Sequence, residues 1–167
     1  MPSTHAQLQE LYLTGDETNM LLAEQLAEGL FGGVQHWDFY ARWQRLTLFY
    51  RTVLQKPHIN TADLIRYMRT IGISLDKPLW TESALPDEFS VCASIVRRIN
   101  LQEFTHLADL GEGFRDYSEV EELSIRHCPI VQMPDYLWGW HRLKKLEILN
   151  SEITQLPADI ANLRQLE

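Results

Sequence analysis

The sequence predicts an α/β protein, all-helical over residues 1–72 and a short array of stacked repeats over residues 73–167. Three observations carry this. A 23-residue period runs through the second part. Apolar residues in the first part recur at helical spacing, and glycines or prolines stand where those helical stretches should stop.

The helical part divides at those stops. Thr4 and Gln7 form a capping-box pattern ahead of a short helix that Gly15 can end. Asp16 to Phe31 reads as a second helix, with Leu22, Leu26 and Leu30 in i, i+4 register and Gly32-Gly33 behind it. A third, about His36 to Leu54, carries Trp37, Phe39, Tyr40, Trp43, Phe49 and Tyr50 on several sides. A helix apolar nearly all round is buried, so this one is the expected centre of the helical part. Pro57 ends it. Thr61 can cap a fourth helix through Ile71, with Leu64, Ile65 and Met68 inward and Gly72 at its end. Ile73-Ser74-Leu75 then fits a first strand paired with Ile99–Leu101, leaving the helices to seal the first rung as a capping domain.

The repeats emerge from subtraction. VEELSIRHCPIVQMPDYLWGWHR from Val120 and LKKLEILNSEITQLPADIANLRQ from Leu143 align without a gap. The offset of 23 holds for Leu123/Leu146, Ile125/Ile148, Ile130/Ile153, Met133/Leu156 and Pro134/Pro157. Upstream, Val96, Ile99 and Leu101 precede Val120, Leu123 and Ile125 by 24. Leu85-Pro86 with Phe89, Leu110-Gly111 with Phe114, Met133-Pro134 with Leu137, and Leu156-Pro157 with Ile160 mark the later half of each unit. The count is about three repeats, the first degenerate and the last incomplete.

This pattern, LxxLxLxx(N/C)xL followed by LPxxI, resembles the leucine-rich repeats of bacteria and plants, over roughly residues 85–167. GDETNMLLAEQLAEGLFGG also resembles the opening helix of some bacterial proteins of that kind. The resemblance implies a leucine-rich-repeat solenoid, with a strand at each LxL stacked into a parallel sheet on the concave side. It implies a helical or 3₁₀ segment after each LP on the convex side. It also places Cys128 and Ser151 where the family has the Asn or Cys that satisfies buried loop backbone. Cys128 then reads as a structural residue rather than a reactive thiol. Alternation within LxL agrees, since the outer leucines share one strand face. A lone unit cannot cover that face, and stacked neighbours can. Proline after the Leu fits a first helical turn, where a backbone N–H is expendable.

Composition narrows the function. Hydrophobic residues make up 45% and charged residues 23%, a globular balance that can bury a core. A net charge of −8 argues against nucleic acid, which needs a basic face. Residues 1–70 carry seven acidic and six basic groups, leaving 16 and nine in residues 71–167. The second part therefore favours a basic partner surface, or simply keeps the chain in solution. No stretch approaches a membrane span, and the amino terminus lacks a basic-then-apolar leader, so the expected setting is cytoplasmic. Two cysteines, Cys92 and Cys128, suggest neither a disulfide framework nor a metal site. Six histidines show no HxxxH or HExxH, and GxSxG, P-loop and GxGxxG motifs are missing. Gly111-Glu112-Gly113 reads as a turn. Neither an enzyme nor a cofactor is expected.

Binding to a protein partner is the expected function, and two faces compete for it. On the concave side the columns Arg97/Glu121/Lys144 and Arg98/Glu122/Lys145 alternate in sign and can satisfy themselves across rungs about 4.8 Å apart. Arg126, His127, Leu149 and Asn150, at the downstream strand ends, are the residues expected to meet a partner. On the convex side Leu137 and Trp140 should point inward, which turns Tyr136 and Trp138 outward as a second candidate contact. A further expectation concerns the end of the chain. Leu166 matches Leu143, so a new strand begins there, and its open edge would suit self-association or continuation into a larger protein that this part targets or regulates.

Overall fold

The computed structural model describes residues 3–76 and 84–167, and the chain divides into two compact units, Met1–Thr70 and Ile71–Glu167. The first unit is helical. Its helices are Thr4–Tyr12 (α1), Glu17–Phe31 (α2), Asp38–Thr52 (α3) and Thr61–Thr70 (α4). Small polar residues start three of them, each by accepting from an otherwise unpaired first-turn N–H. The Ala6 amide donates to Ser3 Oγ at 3.2 Å, the Asn19 amide to Asp16 at 3.0 Å, and the Asp63 amide to Asn60 at 2.7 Å. The caps of α1 and α4 thus lie one residue ahead of Thr4 and Thr61. Thr61 is freed for the core, where its hydroxyl meets that of Thr47 at 3.1 Å.

The aromatic helix is the centre of this unit: Trp43, Leu46 and Tyr50 on α3 are wholly buried. Tyr12 of α1 sets its ring edge against Trp37 and Phe39 at centroid distances of 5.6 and 6.0 Å, a geometry the ring quadrupoles favour. Leu64, Ile65 and Met68 close the core from α4. Helix α2 faces the other way from what a leucine stripe suggests. It buries Met20, Ala23 and Ala27, and its Leu22, Leu26 and Leu30 are exposed.

The second unit is built on a four-stranded parallel sheet in sequential order, open at both edges: Ile73–Asp76 (β1), Arg98–Gln102 (β2), Glu122–Arg126 (β3) and Lys145–Leu149 (β4). The chain is therefore mixed α/β. Registers pair Ile73 with Ile99, Ile99 with Leu123 and Leu123 with Leu146, so β3 and β4 each lie on their predecessor at the spacing found by subtraction, and β2 lies on β1 at an offset of 26. Gly72 makes the entry into β1 possible. Its φ is +92°, and a Cβ there would stand 2.1 Å from the Arg98 carbonyl oxygen, so only glycine fits.

Strand alternation does the sorting. Ile73, Leu75, Ile99, Leu101, Leu123 and Ile125 are buried on one face. Between strands the chain returns through short 3₁₀ segments, Asp87–Cys92, Glu112–Phe114 and Asp135–Gly139, and a fourth, Ala158–Asn162, follows β4. Aromatic rings fill the space beneath them: Phe89 stacks on Phe114 at 5.4 Å, and Tyr117 bridges from Phe114 (5.0 Å) towards Trp140 (6.1 Å). The Tyr117 hydroxyl donates to the Phe89 carbonyl at 2.6 Å, so the ring's polar end is satisfied within the core. Among the described residues no helix is long and apolar enough to cross a membrane.

Candidate functional site

The solvent side of the sheet holds most of the residues singled out from sequence. Strands β2, β3 and β4 are each followed by a residue with left-handed backbone, Glu103, His127 and Asn150, at φ between 52° and 58°. These occupy one position of the repeat, and the sharp turn they make brings their side chains to the same end of the sheet. The Asn150 side-chain amide lies 3.3 Å from His127 Nδ1. Arg126 and Leu149 are register partners on the same end, and Leu149 is 48% exposed. The four candidate residues are thus brought together.

Arg126 is not unpaired, for its Nε donates to Glu147 Oε1 at 2.5 Å. Their separation of 21 is two less than the repeat, which makes them diagonal neighbours on one face, within reach of a long side chain. That offset was the available signal, and looking only along straight columns passes over it. Glu147 also takes Lys145 at 3.7 Å. Its carboxyl is held below the ordinary carboxylate range, chiefly by the hydrogen bond from Arg126.

The two predicted charge columns form in part. Lys144 reaches Glu121 at 2.7 Å, and Arg98 reaches Glu122 at 3.4 Å. Arg97 instead meets Glu119 at 3.2 Å, where Arg142 joins it at 3.1 Å. Exposed pairs of this kind contribute about 0–1 kcal/mol each, so their effect is to quench charge rather than to hold the fold. What remains open on the face is a shallow hollow floored by small polar side chains, Ser74, Asn100 and Ser124, and the aliphatic surface of Leu149 beyond it.

The opposite candidate face is corrected by the structure. Trp138 is only 4% exposed. Its repeat counterparts Arg115 and Ala161 are exposed, so the backbone position does face outward and the large indole folds back onto the protein. Tyr136 is half-buried and tied to the preceding repeat: its hydroxyl donates to the Gly111 carbonyl at 2.6 Å, with the Arg115 guanidinium 5.6 Å over its ring. Tyr136 is therefore tied to the segment that carries Gly111 and Arg115, and Trp138 is buried rather than presented to solvent. Burial raises the Tyr136 hydroxyl's pKa.

Neither cysteine is disposed for reaction. Cys92 and Cys128 are free and buried, and burial pushes both thiols up. Cys128 Sγ points at the backbone, 3.3 Å from the Arg126 carbonyl oxygen and 3.8 Å from that of Leu101. Among the described residues no three His, Cys, Asp or Glu side chains gather as a metal ion would require. No family model matches the chain, and no curated protein matches its sequence.

Proposed function

We propose that the chain is a non-catalytic protein-binding module, a short leucine-rich-repeat solenoid preceded by a helical cap, acting in the cytoplasm. The partner is a protein, and it meets the solvent side of the sheet at the strand ends where Arg126, His127, Leu149 and Asn150 converge. The observation that carries this reading is Leu149. It sets an exposed aliphatic side chain beside an arginine whose charge Glu147 already offsets, so a partner can cover Leu149 without stranding that charge. The repeat spacing in the sequence, the in-register parallel pairing and the turn residues at one repeat position support the solenoid reading. Two buried free thiols fit a reducing compartment.

The test is recovery of a partner from the native source by the immobilised chain, comparing wild type with Leu149→Glu and with Arg126→Glu plus Leu149→Glu. Leu149→Glu, at a position already exposed, is expected to leave the fold intact and abolish capture of any protein that wild type retains specifically. Undiminished capture by both variants removes this face from consideration.

A further inference from the structure

The helical unit carries two carboxylates that its fold does not use. Glu17 and Glu24 of α2 are seven residues apart, so they stand on nearly one line of the helix, about 10.5 Å from each other along its axis. Among the described residues neither takes part in an ion pair, whereas Glu28 farther along accepts the Val34 amide at 2.7 Å. Lysine and arginine are missing from α2, so nothing on the helix neutralises the two charges. Both carboxylates line a shallow hollow of about 250 Å³. Met20 and Leu21 give it an apolar floor midway between them, Met20 7% and Leu21 55% exposed. Gln44 of α3 and Asn60 at the head of α4 add carboxamides to the rim.

Carboxylates alone would be no more than a solvated face, and Tyr12 makes the difference. It lines the same hollow with no solvent exposure, and its hydroxyl is buried without a hydrogen bond of good geometry. A buried polar group is left in that state only at a cost to stability. Besides burial, the nearby Glu24 charge raises the pKa of this hydroxyl, and the Gln44 side chain beside it acts the other way. The hydroxyl therefore lies on the side of the hollow that Glu24 and Gln44 line. Burial raises the Glu24 carboxyl's pKa, and no cation offsets that rise. The hollow thus gathers acceptors and negative charge around an apolar floor, and what it lacks is a cation.

We infer that this hollow binds a linear aliphatic diamine, one ammonium group on Glu17, the other on Glu24 and the Tyr12 hydroxyl, with the methylene chain over Met20 and Leu21. Ammonium–carboxylate hydrogen bonds run about 2.8 Å, so carboxylates about 10.5 Å apart suit nitrogens roughly 5–10 Å apart. With carbon–carbon bonds of about 1.5 Å, that is the span of roughly four to six methylenes. Amines of this kind are charged at neutral pH, as lysine is. The chain between the charges covers apolar surface as a lysine stem does. A ligand with a single charge would leave one carboxylate uncompensated, and an anion would be repelled by both. One slim alkyl chain also lies along the floor more readily than two side chains reaching in from a protein surface. The hollow is separate from the sheet face proposed above and does not depend on it.

The probe is cadaverine, titrated into the full chain and followed residue by residue through its amide NMR signals. Saturable shifts confined to residues around the hollow are expected. Pentylamine, which has the same chain and one charge, should bind roughly tenfold more weakly or worse, because a charge-assisted pair is lost. Glu17→Gln and Glu24→Gln should each weaken cadaverine binding by a similar factor and reduce its salt dependence. Tyr12→Phe keeps the ring in the core, so the melting temperature should not fall, and binding should weaken about threefold or more. Asp135→Asn plus Asp159→Asn, which removes charge from the second unit, should leave binding as it was. Shifts that fail to saturate or spread over the whole acidic surface would overturn the proposal. So would equal affinity for pentylamine, unchanged binding by the Glu17, Glu24 or Tyr12 variants, or equal weakening by the control pair. Equally tight binding of a peptide with two lysines seven residues apart would overturn it too, by placing the cations on a partner protein.

Discussion

The two best-matched repeats, residues 120–142 and 143–165, carry nearly the same apolar pattern and meet different fates. Leu123, Ile125, Ile130, Met133 and Leu137 are buried, Ile125, Ile130 and Leu137 completely. Their counterparts Leu146, Ile148, Ile153 and Ile160 are half-buried, and Leu156 is 48% exposed. The strands are equally long and the turns alike. What differs is the neighbour: β3 lies between β2 and β4, whereas β4 pairs through its whole length with β3 alone among the described residues. On its other side the Glu167 amide donates to the Lys144 carbonyl at 2.8 Å. Burial of a strand's apolar side chains here therefore depends on having a neighbour on each side.

Matched substitutions can break this comparison. Ile125→Ala should cost about 2–5 kcal/mol, because it removes buried methyl groups and leaves a cavity. Ile148→Ala should cost less than about half of that, since water already reaches the side chain. Urea unfolding of both variants measures the difference, and equal losses would mean that stacking does not govern burial in this unit.

A second contrast sharpens the same point with glycines. Gly72→Ala forces a Cβ against the Arg98 carbonyl at a positive φ and should destabilise the chain by about 1–3 kcal/mol. Gly29→Ala meets open space on a helix face and should stabilise it by about 0.5–1 kcal/mol. Melting temperatures that move the same way in both variants would refute the reading of one or the other site.

The smallest expected effect concerns pH. Glu147's carboxyl is depressed in the folded state, so its contribution is present above the ordinary carboxylate range and is lost as pH falls through the folded value. Arg126→Gln removes the main cause of that depression. The acid limb of the melting temperature should then be slightly shallower than in wild type, with the curves drawing together at low pH. A steeper acid limb in the variant would contradict the pairing.

Much of the second unit was legible because strand pairing there follows arithmetic. Side chains in stacked parallel strands repeat at the offset of the repeat itself, so subtracting positions aligned Ile99, Leu123 and Leu146 before any geometry was known. The same arithmetic gathered Arg126, His127, Leu149 and Asn150 at one end of the sheet. It missed the Arg126–Glu147 pair, because long side chains choose among diagonal as well as direct neighbours. It also turned Trp138 outward, since a position's direction does not fix where a large ring comes to rest.

In the first unit the sequence marked where helices stop and identified α3 as the centre, from the glycines, Pro57 and the aromatic run. Periodicity grouped Leu22, Leu26 and Leu30 on one face of α2, and only packing decided that the face looks to solvent while Met20, Ala23 and Ala27 look in. The physical reason is common to both units. Spacing along a chain determines which side chains share a surface, because it follows from local backbone geometry. Which surface is buried, and which charge finds which partner, depends on what else occupies the space, and only the tertiary structure decides that.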